Sequence, residues 1–194
     1  MKDFPIGPGT RALIFDCDGT LVDSMPLHMK AWEAALRHFK TPFDEEYLFS
    51  LKGMKETDIV ELYNKKSGTS LDPVEVVALK QKYISNHIRT VNPVTPVAEV
   101  AKKYFGIMPM AVVSGSARKI VTAELKVIGI LKLFDIILTA DDPYKPKPAS
   151  EIFFAAASKM QVETRYCLVF EDGDAGLKAA SAAGMKTIDV REYL

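Results

Sequence analysis

Five short stretches of the chain are dominated by Val, Ile, Leu and Phe: Ala12–Phe15, Met110–Val113, Ile136–Thr139, Cys167–Phe170 and Thr187–Val190. Each is short and bounded by Gly, Pro, Asp or Ser. That pattern predicts parallel strands buried on both faces. Helical periodicity separates the later four. Lys119–Ile128 carries Ile120, Val121, Leu125 and Ile128 on one side and meets Gly129 at its end. Ile152–Met160 and Ala175–Ala183 are two further helices, the second followed by Gly184, a residue suited to ending a helix. Strand alternating with helix predicts a doubly wound, Rossmann-like α/β core with a parallel sheet.

The interval between the first two strands breaks this rhythm. Pro26–Phe39 is amphipathic, with Leu27, Ala31, Trp32, Ala35 and Phe39 on one side. Glu45–Ser50, Glu56–Lys66 and Pro73–Ile88 also have the helical pattern, and no strand is evident between them. A crossover needs only about a dozen residues, so a stretch this long predicts an inserted helical domain. The expected division is a core over residues 1–23 and 93–194 and a helical cap over 24–92, with linkers near Leu21–Pro26 and Val91–Pro96.

The 194 residues suit one domain with an insertion. Lys plus Arg and Asp plus Glu are both 25, so no basic excess points to nucleic acid or an anionic membrane. The N-terminal run MKDFPIGPGTR lacks the apolar stretch of a secretory leader, and no segment is apolar over a membrane-spanning length. Cys17 and Cys167 lie in apolar runs and read as reduced core thiols, which fits a cytoplasmic location.

Candidate chemistry enters at the strand ends. In open α/β sheets, ligands bind beyond the C-terminal ends of the strands. There the chain carries Asp16-Cys17-Asp18-Gly19-Thr20, Ser114-Gly115-Ser116, a loop with Lys145 and Lys147, and Glu171-Asp172-Gly173-Asp174. Asp16, Asp18, Glu171 and Asp172 would crowd negative charge into one pocket. Such a pocket calls for a hard divalent cation with oxygen ligands, and Mg2+ is the expected one.

These segments, DCDGTLVDS, VVSGS, KPASEIF and VFEDGDAGLKAASAAGM, resemble the four ordered motifs of the haloacid dehalogenase superfamily, and the resemblance runs over nearly the whole chain. The insertion after the first motif resembles that superfamily's helical cap. HMKAW and Leu51–Gly53 resemble the β-phosphoglucomutase-like branch, and the C-terminal run is similar to bacterial phosphatases of the fructose-1-phosphate type. The resemblance implies metal ligation by the Asp16 carboxylate, the Asp18 backbone carbonyl and the Asp172 carboxylate, with Glu171 an outer or indirect ligand. It implies Asp16 as nucleophile toward a small phosphate ester and Asp18 as the acid and base. Ser114 would donate a hydrogen bond to the transferring oxygens, and Lys147 would supply fixed positive charge and hold Asp16 ionised. Gly19 permits a sharp turn near the phosphate. Thr20, Gly115 and Ser116 complete the expected phosphate side, with His28, Lys52 and Gly53 of the cap reading the distal part of the substrate.

Several alternatives stay open. Lys145 competes with Lys147 for the phosphate; Lys147-Pro148 keeps the family spacing to Ile152-Phe153 and is preferred. Ser114 could serve only as a helix cap, and His28 could be a surface or capping residue. Asp174 reads as a solvated or capping carboxylate, and Gly173 stands where the family often has Ser or Thr. A sugar-phosphate phosphatase, a β-phosphoglucomutase-type mutase and a non-catalytic binding module all fit the motifs; dehalogenase chemistry does not need so many acids. Thr20 stands where the mutases carry Val, and Glu56 where they carry a phosphate-binding Arg. Since Glu56 would repel a second phosphate, the phosphatase is the expected activity.

Overall fold

The structure is a computed structural model that describes Phe4–Leu194; the first three residues of the expected core, and of the run read for a leader, lie outside the described residues. Five parallel strands form the central sheet in the order β5-β4-β1-β6-β7. They are β1 (Ala12–Phe15), β4 (Met110–Val113), β5 (Ile136–Leu138), β6 (Cys167–Glu171) and β7 (Lys186–Asp189). Period-two alternation divides each apolar strand between two cores. Leu13, Phe15, Val112, Leu168 and Phe170 face one side, against α5 (Thr95–Tyr104) and α6 (Arg118–Val127). Ala12, Ile14, Ala111, Val113 and Val169 face the other, against α7 (Glu151–Met160) and α8 (Asp174–Ala182). This is why these strands carry no polar alternation.

Chain order reverses around β1, which lies between β4 and β6. Its C-terminal end therefore opens into a crevice flanked by the loops after β4 and β6, the usual ligand position in such sheets.

The insertion forms helices α1 (Met25–His38), α2 (Glu45–Ser50), α3 (Glu56–Ser67) and α4 (Pro73–His87). They share a separate apolar cluster built from Trp32, Leu36, Leu48, Ile59, Tyr63 and Val76. Asp72 starts α4 by accepting hydrogen bonds from the Val74 and Glu75 amides. Two features differ from the sequence reading. Val22–Asp23 (β2) and Asn92–Pro93 (β3) pair antiparallel, so the two linkers form one ribbon rather than separate tethers. The return segment was expected to be linker as far as Pro96, but α5 already starts at Thr95, with Pro96 in its first turn.

Candidate active site

Four loops converge at the C-terminal end of β1. Asp16 follows β1 directly and is 2% exposed. Glu171 ends β6, and Asp172 follows it. Asp16, Glu171 and Asp172 each offer an oxygen, and these atoms lie within 4.8 Å of one another. Lys147 comes from the loop after β5 and is 1% exposed. Its Nζ donates to Asp16 Oδ1 at 2.7 Å, to Glu171 Oε1 at 2.6 Å and to the Val113 carbonyl at 3.0 Å. Lys145, the rival, is solvent-facing and pairs with Glu151 at 2.8 Å. Glu171 also accepts from the Gly173 amide at 2.6 Å, and a Cβ on Gly176 would collide with its carboxylate.

Charge balance explains the titration behaviour. Burial pushes Asp16 well above the usual carboxylate range; Lys147 opposes this, while Glu171, Asp172 and Asp18 add to it. Lys147 is the group that favours ionised Asp16, as expected from sequence, and it works against burial and three neighbouring carboxylates. Asp172 is raised to about 6 by burial and by Glu171, against Lys52. Lys147 keeps its proton: burial works against it, but Asp16 and Glu171 outweigh burial. A set of oxygen donors with more negative charge than its lysines balance fits a hard divalent cation.

Asp18 points to a different set of partners. Its Oδ1 accepts from Ser24 Oγ at 2.7 Å and lies 3.1 Å from His28 Nε2. Its Oδ2 accepts from Ser116 Oγ at 2.7 Å and from Ser114 Oγ at 3.3 Å. Burial opposes ionisation, yet His28 and the hydroxyls hold Asp18 below the usual range. Ser114 Oγ also accepts the Ser116 amide at 3.0 Å, so this hydroxyl serves Asp18 and its own loop.

His28 is buried between Asp18, Glu124 Oε1 at 3.3 Å and Lys80 Nζ at 3.1 Å from Nδ1. Burial and Lys80 lower its proton affinity, but Asp18 and Glu124 lift it to about 9. The Lys80 contact argues the other way, because two N–H donors cannot share one hydrogen bond. Glu124 is fully buried and is raised to about 7, by burial first and then by Asp18. The Cys17 thiol lies 3.7 Å from Glu124 Oε2; burial, chiefly, keeps it protonated. Both cysteines are free.

The cap closes against these loops. Gly115 meets the carbonyls of Gly53 and Met54, and a Cβ there would lie 2.5 and 2.6 Å from them. Gly173 meets the Lys52 carbonyl, which a Cβ would approach to 3.0 Å. Lys52 Nζ reaches Asp172 Oδ2 at 2.6 Å. The cleft left between cap and core has a cavity volume of about 30 Å³, far below the roughly 300–1,000 Å³ of small-molecule sites, so the cap stands closed here and has to open to admit an ester. Asp16, Asp18, His28, Lys52, Gly53, Gly115 and Ser116 all line it.

Other expected site residues stand differently. Thr20 is fully buried and donates to Asp172 Oδ1 at 3.3 Å, so it supports a carboxylate and does not face the cleft. Gly19 has φ +82°, and a Cβ there would collide with the Asp172 carboxylate; its freedom serves that close packing. Sequence reasoning missed Lys80 and Glu124. Lys80 falls between Val76 and Ile84 on the buried stripe of α4, and Glu124 lies beside Ile120, Val121 and Leu125 on that of α6. A charged residue on an apolar stripe was the available signal.

Comparison with known proteins finds relatives over nearly the whole chain. A family described as "Haloacid dehalogenase-like hydrolase" matches residues 13–190. The chain is 37% identical over 180 residues to the fructose-1-phosphate phosphatase YqaB of Escherichia coli, covering 92% of this chain and 95% of that protein. It is 26% identical over 187 residues to the β-phosphoglucomutase of Bacillus subtilis, covering 93% and 83%. A hydrolase from Pseudomonas syringae has the same fold, with a TM-score of 0.83 at 23% identity over 92% of this chain and 83% of that one.

Proposed function

This chain belongs to the haloacid dehalogenase-like hydrolases and is a phosphate-monoester hydrolase; we propose that it is a magnesium-dependent phosphatase of small sugar phosphates acting through an aspartyl-phosphate on Asp16. The observation that carries this reading is the junction of Asp16, Glu171 and Asp172, with Lys147 bonded to the first two. The relative named for fructose 1-phosphate supports the substrate class.

Asp16, the Asp18 carbonyl and Asp172 would hold the ion, which when bound neutralises charge on the transferring phosphoryl group. Asp16 attacks phosphorus, and the bond from phosphorus to the ester oxygen breaks. Asp18 protonates the departing alcohol. Asp18 is ionised at rest, so it takes up that proton from solvent before the ester is cleaved, and the proton it later receives from water restores it for the next turnover. Water then attacks phosphorus and gives its proton to Asp18. Inorganic phosphate leaves, and the Asp16 carboxylate is restored. Lys147 keeps positive charge against Asp16 throughout, while Ser114 and Ser116 orient Asp18. Lys52 and Gly53 bring the cap onto the substrate and exclude bulk water. The free, buried thiols suit a reducing, cytoplasmic compartment.

The test is phosphate release from fructose 1-phosphate, β-glucose 1-phosphate and an aryl phosphate, with magnesium and with a chelator. Magnesium-dependent release from fructose 1-phosphate and the aryl ester is the expected result. Glucose 6-phosphate formed with little phosphate loss, after priming with a bisphosphate, would replace the phosphatase by the mutase. No turnover of any ester would leave a binding module.

A further inference from the structure

Helix α6 of the core buries one stripe, made of Ile120, Val121, Glu124 and Leu125, and one of the four is a carboxylate. Glu124 is 0% exposed. Burying a carboxylate costs more than burying an aliphatic side chain, and pairing seldom recovers the difference. Its partners point to a use. Glu124 Oε2 accepts from the thiol of Cys17, the residue between Asp16 and Asp18, at 3.7 Å. Glu124 Oε1 lies 3.3 Å from His28 Nε2, and the same nitrogen lies 3.1 Å from Asp18 Oδ1. One ring N–H therefore stands between two carboxylates. Asp18 lines the cleft, and Glu124 is not among the residues that do. Ser116, Ile120 and Glu124 follow one another at intervals of four, so they share a side of α6 and its lead-in. Ser116 Oγ donates to Asp18 Oδ2 at 2.7 Å. This stretch thus holds both oxygens of Asp18, one directly and one through His28.

We propose that Glu124 is a positioning residue for the acid–base step: it takes over the His28 Nε2–H when Asp18 turns to the departing oxygen. This rests on the phosphatase reading above. At rest, Ser24 and His28 both hold Asp18 Oδ1. To serve the ester, Asp18 has to carry a proton and face the scissile bond, which means releasing the imidazole. A buried N–H left without an acceptor is costly, and that cost would oppose the turn. The other ring nitrogen cannot help, since Nδ1 is engaged with Lys80 Nζ at 3.1 Å. Glu124 Oε1 is already within reach of Nε2, so the N–H passes from one carboxylate to the other with the ring in place. Glu124 touches no part of the ester and acts through His28 alone. Its effect therefore scales with how much the leaving group needs a proton. A sugar alkoxide must be protonated as its bond to phosphorus breaks, whereas a nitrophenolate leaves as the anion.

The test compares kcat/KM for fructose 1-phosphate and p-nitrophenyl phosphate, with magnesium, in the wild type, Glu124→Met, Glu124→Asp and Glu124→Gln, with Asp18→Asn as the reference. kcat/KM covers the steps up to departure of the alcohol, so the later return of a proton to Asp18 does not enter. The readout is the ratio of sugar ester to aryl ester within each preparation, so a loss of folded or metal-loaded protein cancels. Glu124→Met has no acceptor and should lower that ratio by about 30-fold; Glu124→Asp falls one methylene short and should lower it roughly tenfold. Glu124→Gln keeps an oxygen at the same reach and should stay within about threefold of the wild type. Glu124→Asp carries the test if the methionine variant does not fold. Methionine and aspartate variants that lower both esters by one factor, or leave the ratio at its wild-type value, would make Glu124 a structural residue only and leave the phosphatase standing. So would a glutamine variant that falls as far as methionine. A wild type inactive on both esters, or Asp18→Asn lowering both equally, would instead remove the acid role of Asp18 and this proposal with it.

Discussion

Replacing Lys147 with methionine removes the cation that Asp16 and Glu171 share, while keeping most of the side-chain volume. Lys147, Asp16 and Glu171 have side chains 1%, 3% and 0% exposed, so water cannot take over the lost contacts. Breaking a buried pair from one side typically costs about 3–5 kcal/mol. At about 2–4 °C per kcal/mol for a chain of this size, the midpoint should fall by roughly 6–20 °C. The sign of the pH effect follows from the same charges. Without Lys147, the folded-state pKa of Asp16 rises further above its unfolded value of about 4. The folded state then binds protons more tightly than the unfolded chain, a gain present at low pH and lost as pH rises through the folded pKa. The stability difference from wild type should therefore be largest near pH 8 and shrink toward pH 5. Urea unfolding in the presence of a chelator, followed by circular dichroism and by Trp32, the one tryptophan, measures it. A cost under about 1 kcal/mol at pH 8, or one equal at both pH values, would refute the shared-cation account.

Three further outcomes follow from the same geometry. Asp172 is raised to about 6 and must be ionised to hold a cation, so magnesium should raise the thermal midpoint at pH 8 and barely at pH 5; equal shifts would contradict its role as a ligand. Gly115→Ala places a Cβ 2.5 Å from the Gly53 carbonyl, so the cap should seat poorly and kcat/KM should drop by about 10- to 100-fold with little change in melting; unchanged kinetics would show that this contact yields freely. Lys145→Ala touches only an exposed pair with Glu151 and should leave phosphate release and the melting midpoint unchanged; lost activity would return the phosphate role to Lys145.

The core was legible because buried parallel strands and acidic strand ends leave local marks. Ala12–Phe15 and Met110–Val113 match the observed strands, and the loops after them carry the residues that meet. The ribbon of β2 and β3 left no mark, since two-residue strands with Pro93 in one of them show no alternation. Helix α5 was hidden behind Pro96, which reads as a linker residue but also fits a helix's first turn. The site divided in the same way. Asp16, Lys147 and Asp172 stand in motifs, whereas the network through Lys80, Glu56 and Glu124 depends on contacts between helices far apart in sequence. Thr20 was expected beside the phosphate with its neighbours in sequence, whereas its hydroxyl turns to Asp172, which lies 152 residues on.

The most direct test of the account is a single turnover of radiolabelled fructose 1-phosphate with magnesium, quenched in acid within milliseconds and mapped by peptide. The account predicts transient, hydroxylamine-labile label on the peptide carrying Asp16, and none in Asp16→Asn. Rapid phosphate release with no protein-bound label at any time, or label on another residue, would contradict it.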